Sequence, residues 1–264
     1  MAMKQAEVIN DKGELSWKGV RNEIYYKQRF EDPYIAHVIR YYEQEAEKWI
    51  NTMNCPEYIK VAIESFKKEE EIIEQLLVKE SRKNLIRQLT DKLINKHVNQ
   101  LIDMDKTGVK EMLANKRNEE LKMLTVLLTR SPGTFTLILE RFQLYLLSRG
   151  KALKENKELV EDPVAYIKAL LDLRLEIEEL IAYSFASMDS FNRSNDIAFQ
   201  KILEDFDLTP KYLAHYIDSL MRVGLKGKEA EMETFIDRIF LSFKLLKSKD
   251  AFAEHHKVCY LNVK

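Results

Sequence analysis

The chain is short of nearly everything that would declare a chemistry. Its 264 residues hold two cysteines, Cys55 and Cys259, too few for a disulfide framework. Five prolines and seven glycines are too few for the many tight turns of a multi-stranded sheet, which would also draw on Asn-Gly pairs. No apolar run approaches the roughly 20 residues of a membrane span, and the opening MAMKQAEVINDKG has no apolar core of a secretory signal. Charge of one sign is lacking too: 42 basic and 43 acidic residues leave a net charge of −1, so no uniform field draws nucleic acid or anionic lipid. The expectation is a reduced, intracellular, soluble protein with neither nucleic acid nor membrane as partner.

Chemical signatures are equally sparse. GLKGKE has two glycines, but no strand precedes it and no Lys-Ser/Thr follows, so it is not a phosphate loop. There is no HExxH and no Glu-x-x-His pair of the di-iron kind.

What is present is helix. Each proline leads into a periodic apolar stretch, and four follow Asp, Ser or Thr: Asp32-Pro33, Ser131-Pro132, Asp162-Pro163 and Thr209-Pro210. A capping side chain followed by proline at the first helical position is a start signal, because proline has no amide to leave unpaired. Stripes at three-four spacing follow: Ile35, Val38, Ile39, Tyr42, Ala46, Trp49 and Ile50; then, after Pro56, Ile59, Ala62, Ile63, Phe66, Ile73 and Leu77, with KKEEE outward. Ser81 is placed to cap a helix through Leu85, Ile86, Leu89, Leu93, Ile94, His97 and Leu101; Asn118 opens one with Leu121, Leu124, Leu127 and Leu128. After Pro132 come Phe135, Leu139, Phe142 and Leu146, with Gly150 as the closing residue. A long helix with Ile167, Leu170, Leu171, Leu175 and Ile181 follows Pro163, and shorter ones lie near Ile197–Phe206 and Leu213–Leu220. EMETFIDRIFLSFKLL turns Met232, Phe235, Ile236, Ile239, Phe240 and Phe243 inward, and a last helix begins near Asp250. About ten helices and no alternating window predict an all-α fold. Short links between wide apolar faces favour an elongated antiparallel stack, and the polar RGKALKENKELVEDP separates two halves.

The one tempting cluster is terminal: His255, His256 and Cys259. His255 and Cys259 are four apart on a helix, but a closed zinc site needs four ligands and no second pair has suitable spacing. A cysteine nucleophile needs a base and an orienting group in a cleft, and nothing here builds one. His37 and His97 sit among stripe positions and read as packed or rim residues, satisfied by a carbonyl or water. KKEEE reads as a solvated face, and NKRNEEL as a helix start with Asn118 as cap and Glu119 and Glu120 on the dipole. No catalytic, cofactor-binding or metal-ligating residue is therefore named.

CPEYIKVAIESFKKEEEIIEQLLVKESRKNLIRQLTDKLINKHVNQLI resembles the second repeat of the cullins, through Glu57-Tyr58-Ile59, the acidic stretch, and the helix of Leu93, Ile94, Lys96 and His97. YYKQRFEDPYIAHVIRYYEQEAEKWI and NKRNEELKMLTVLLTRSPGTFTLILERFQLYL are similar to the segments flanking it. DPVAYIKALLDLRLEIEELIAYSFASMDSFNRSNDIAF is similar to the third repeat, as is LTPKYLAHYIDSLMRVGLKGKEAEMETFIDRIFLSFKLLKSKDAFAEHH, through Leu213, Tyr216, Ile217, Asp218, Phe243, Lys244, Lys249, Asp250 and Phe252.

The resemblance implies a non-conforming segment at 1–21, a second-repeat unit at 22–150 and a third-repeat unit at 151–264, each of five helices. It also implies a non-catalytic scaffold of a ubiquitin ligase whose partners are proteins. By the same resemblance, the first repeat, which holds the adaptor in cullins, is expected to have no counterpart in these residues, and VCYLNVK to stand where cullins continue into the C-terminal domain that binds the RING protein and bears the modified lysine. The alternatives are a generic helical solenoid of a tethering or regulatory complex, or an enzyme at the terminal cluster.

Overall fold

The computed structural model describes residues 24–223, 239–240 and 243–261, with side chains up to 257 in the last stretch. Its α-helices are α1 (Asp32–Thr52), α2 (Cys55–Leu76), α3 (Lys79–Thr90), α4 (Val98–Ile102), α5 (Val109–Ala114), α6 (Asn118–Leu128), α7 (Phe135–Glu155), α8 (Lys157–Glu161), α9 (Pro163–Ser184), α10 (Asp189–Glu204), α11 (Thr209–Val223) and α12 (Lys249–Leu261). Among the described residues there is no strand, as the lack of period-two patterning implies. The chain divides into two compact units: residues up to Met104 with Val126–Thr134, and Asp105–Thr125 with the chain from Phe135 onward. Met232, Phe235, Ile236 and the GLKGKE stretch lie outside the described residues. No described helix is long and apolar enough to cross a membrane.

In the first unit α1 buries Ile35, Val38, Tyr42, Ala46 and Ile50 along the stripe. Two of its proline signals behave differently. At Pro56 the start is complete: Asn54 Oδ1 accepts from the Glu57 amide at 3.0 Å and the Glu57 carboxylate accepts from the Asn54 amide at 3.1 Å, a reciprocal capping box. At Pro33 there is no start, because residues 24–31 are already helical and Asp32 caps nothing. The chain instead widens into a π turn at Lys27–Glu31, where the Asp32 amide reaches back to the Lys27 carbonyl. Proline in a helix lacks an amide and crowds the carbonyl four residues back, and a wide turn just before it relieves that crowding.

The single helix expected from Ser81 to Leu101 is three pieces. α3 passes into a π turn at Asp91–Asn95, breaks at Lys96 and His97, and resumes as α4. The wide turn shifts the helical phase, so Leu93 and Ile94 are buried side by side and Val98, Leu101 and Ile102 follow them inward. Ser81 caps nothing either; it lies inside the first turn of α3, and its hydroxyl donates to Glu31 at 2.5 Å.

In the second unit the sequence start at Asp162-Pro163 holds: Asp162 Oδ1 accepts from the amides of Val164 and Ala165 at 2.9 and 3.2 Å. Asn118 opens α6, but its buried side-chain oxygen makes no hydrogen bond to another described residue. Gly150 does not close a helix. α7 runs through it to Glu155, and glycine is there for proximity: a β-carbon would stand 2.5 Å from Ile202 Cγ1 of α10. The halves' polar divider is thus mostly helical, as the end of α7 and the single-turn α8.

The interior of this unit is aromatic. Phe185 and Phe191 stack with centroids 3.9 Å apart, and Phe142 meets both rings edge-on. A second group, Tyr166, Phe206 and Tyr212, joins α9, the α10–α11 link and α11.

Candidate functional site

Of the terminal cluster only the two histidine side chains are described. His255 is exposed, and His256 is half-buried against Phe252, rings 5.7 Å apart. The Cys259 side chain lies outside the described set. Among the described residues no group of three or more His, Cys, Asp or Glu could hold a metal ion. His37 is exposed and so stands off the stripe, while His97 is buried. The Nε2 of His97 is buried and makes no hydrogen bond to another described residue. Burial, aided by the charge of Lys96, pushes the His97 pKa below the usual imidazole value and keeps the ring neutral.

His97 belongs to a polar kernel that sequence reasoning missed. Tyr58, fully buried, meets the His97 ring at 6.3 Å on one side and Trp49 at 6.3 Å on the other; Trp49 in turn meets Tyr42. The Tyr58 hydroxyl donates to the Leu93 carbonyl at 2.9 Å. That carbonyl has lost its normal donor in the turn that follows the π turn, where the His97 amide bonds Ile94 instead. Burial holds the Tyr58 phenol protonated.

KKEEE is not a solvated face throughout. Glu69 turns inward, 7% exposed, and accepts from the Tyr42 hydroxyl at 2.9 Å and the Tyr34 hydroxyl at 3.5 Å. Glu70 forms a two-pronged pair with Arg130 at 2.5 and 3.1 Å, and the Arg130 guanidinium lies 4.5 Å over the Phe66 ring. Burial first, then the hydrogen bond and charge of Glu69, raise the Tyr42 pKa, so the shared proton stays on the phenol. A signal existed: Tyr42 and Glu69 both fall on the inner stripes of their helices, but a run of charges reads as surface.

A concavity of about 640 Å³ in the second unit is walled by Leu113, Lys116, Tyr145, Glu176, Leu180 and Tyr183 among others. Arg149 bonds Tyr145 at 2.6 Å and Glu176 at 3.2 and 3.4 Å, and Lys116 approaches Glu176 at 3.3 Å. Burial alone would raise the Glu176 carboxyl, but Arg149 and then Lys116 hold it below the ordinary carboxylate range. Tyr183 is bonded to Glu119, which raises its pKa and removes it as a ready nucleophile. Lys116, Arg149 and Glu176 therefore cross-link the α5–α6 turn, α7 and α9 to one another, an arrangement that fixes helices in place.

A family model described as the cullin alpha solenoid domain matches residues 4–259. The chain is 28% identical to Cullin-3 of Dictyostelium discoideum over 90% of its own length and 31% of the relative's. It is 26% identical to Cullin-3B of Arabidopsis thaliana (89% and 32%) and 24% identical to Cullin-3 of Caenorhabditis elegans (92% and 34%). The chain thus spans about a third of the length of the curated relatives it matches.

Proposed function

Because this chain belongs to the cullin family, we propose that it is a rigid scaffold segment of a cullin-RING ubiquitin ligase, spacing the substrate-receptor end from the catalytic RING end in ubiquitin-dependent degradation. It acts in the cytoplasm or nucleus and performs no covalent step of its own. Residues 22–150 and 151–264 are its second and third cullin repeats, with 1–21 outside them, and the adaptor and RING sites belong to regions beyond these repeats. The observation that carries this reading is the match of an alpha solenoid domain to nearly the whole chain, supported by helices locked through buried side chains in each unit.

A spacer has to be stiff from one unit to the next, and that can be measured. Spin labels at Lys60→Cys and Lys201→Cys, both exposed, in a Cys259→Ser background would report the distance between units by pulsed electron resonance. A single narrow distance distribution is the expected outcome. A broad one, with each unit folded normally, would sink the spacer role and leave a flexible interaction module.

A further inference from the structure

The first unit carries a second concavity of about 580 Å³, and its walls are unlike the rest of this charge-balanced chain. Arg82, Lys83 and Arg87 from α3 and Arg130 from the turn after α6 surround it, with Ile86 and Pro132 as apolar surface and Thr90, Asn95 and Ser131 as hydrogen-bonding groups. No carboxylate lines it. Two of its guanidinium groups are held in place. Arg130 is fixed by Glu70 and by the Phe66 ring beneath it. Arg82 is anchored through Nε, which donates to the Leu77 carbonyl at 2.6 Å. Arg87 makes one hydrogen bond, to Asn84 at 3.3 Å, and Lys83 has no polar partner among the described residues.

Glu70 offsets only Arg130, so Arg82, Lys83 and Arg87 leave the groove with three uncompensated positive charges. A preorganised guanidinium loses little entropy when it meets a planar oxyanion, and bidentate geometry adds direction. We propose that this groove is a docking site for an acidic, carboxylate-rich segment of a partner protein, its acids on Arg82, Lys83 and Arg87 and an apolar side chain against Ile86 and Pro132. Nucleic acid is the poorer occupant. The cations are confined to about two turns of one helix and one loop residue, whereas a phosphate backbone needs a longer basic track. This site is independent of the spacing role, since it requires only that the first unit be folded.

The test uses a fluorescein-labelled peptide rich in Glu and Leu, with a second peptide carrying Gln for every Glu, and the intact chain. The acidic peptide binds by fluorescence anisotropy, the Gln peptide binds at least tenfold more weakly, and added salt weakens the acidic complex. Lys83→Glu with Arg87→Glu, both at exposed positions, lowers affinity at least tenfold; Lys83→Gln with Arg87→Gln lowers it less. A control of equal net charge, Lys60→Glu with Lys201→Glu, leaves it unchanged, and circular dichroism verifies the fold of every variant. Equal binding of the two peptides, equal loss in the control, or no loss in the groove variants each overturns the proposal. So does a single-stranded oligonucleotide that displaces the peptide and binds more tightly than it.

Discussion

In the first unit two of the three deeply buried aromatic residues, Tyr42 and Tyr58 beside Phe66, carry hydroxyls, and each hydroxyl has an acceptor waiting: Glu69 for Tyr42 and the Leu93 carbonyl for Tyr58. In the second unit the centre is bare phenyl, with Phe142, Phe185 and Phe191 packed face and edge, and α10 seated in a notch at Gly150. Hydrogen bonds fix the first kernel by direction, and shape fixes the second. The difference predicts how each fails. A directional kernel suffers when one partner is removed and the other is left stranded, whereas a shape-fitted one suffers when volume changes in either sense.

The largest effect is expected from opening the phenyl cluster. Phe191→Ala, at a fully buried position, lowers unfolding stability by about 3–5 kcal/mol in denaturant titration; a loss under about 1 kcal/mol would mean the cluster collapses and shape is not what holds it. Next comes the stranded partner. Glu69→Ala leaves the Tyr42 hydroxyl buried without its carboxylate and costs about 1–3 kcal/mol. Glu69→Leu combined with Tyr42→Phe recovers most of that, because neither partner is then left unpaired. If the double variant were worse than Glu69→Ala, the directional account of this kernel would fail.

Filling the notch is subtler. Gly150→Ala gains about 1 kcal/mol of helix propensity, against overpacking that costs about 1–3 kcal/mol, so net stability drops modestly. In an Ile202→Ala background the atoms in the way are gone and the same substitution becomes stabilising. A double-mutant cycle showing no coupling between the two sites would refute the notch.

Acid separates the units with the smallest effect. The folded His97 pKa is depressed, so below the unfolded value of 6.5 the unfolded state takes up the proton first, and stability falls as pH drops toward the folded value. Glu176 is also depressed in the folded state; its contribution is full above the unfolded value of 4.5 and is lost only as pH falls through the lower folded one. In unfolding curves taken through mild acid, His97→Gln flattens the decline between neutrality and the carboxylate range, and Glu176→Gln changes only the more acid part. Indistinguishable profiles for the two variants would show that neither group governs its window.

Much of this was legible beforehand. All-α class follows from scarce glycine and three-four stripes, and α1, α2, α6 and α9 bury most of the residues the periodicity selects, with Ile39, Trp49, Ile63 and Leu175 half-buried. Helix starts at Pro56 and Pro163 were legible because capping is local: donor, acceptor and proline lie within a few residues. What stayed hidden depends on contacts distant in sequence. Gly150 looks like a helix terminator until Ile202 is seen beside it, and Glu69 looks like surface until Tyr42 is seen across from it. The π turn at Asp91–Asn95 leaves no mark in a periodic apolar pattern, since a shifted phase still supplies Leu, Ile or Val at most inward positions. Pro33 carried a start signal that the residues before it, already helical, overrode.

The glycine notch also sets an axial zero between two rods. Every residue inserted into a helix turns all that follows by about 100° and advances it about 1.5 Å, so the one gap in the surface of α7 can face Ile202 at a single rotational and lengthwise setting. An insertion between Phe142 and Gly150 throws the notch out of line with the phenyl cluster below it. An insertion between Gly150 and Lys154 leaves both in line and costs the exposed bonds of Lys154 to Asp205, which are worth little. The tolerance of α7 to length change is therefore one-sided, and the boundary is a residue that has no side chain at all.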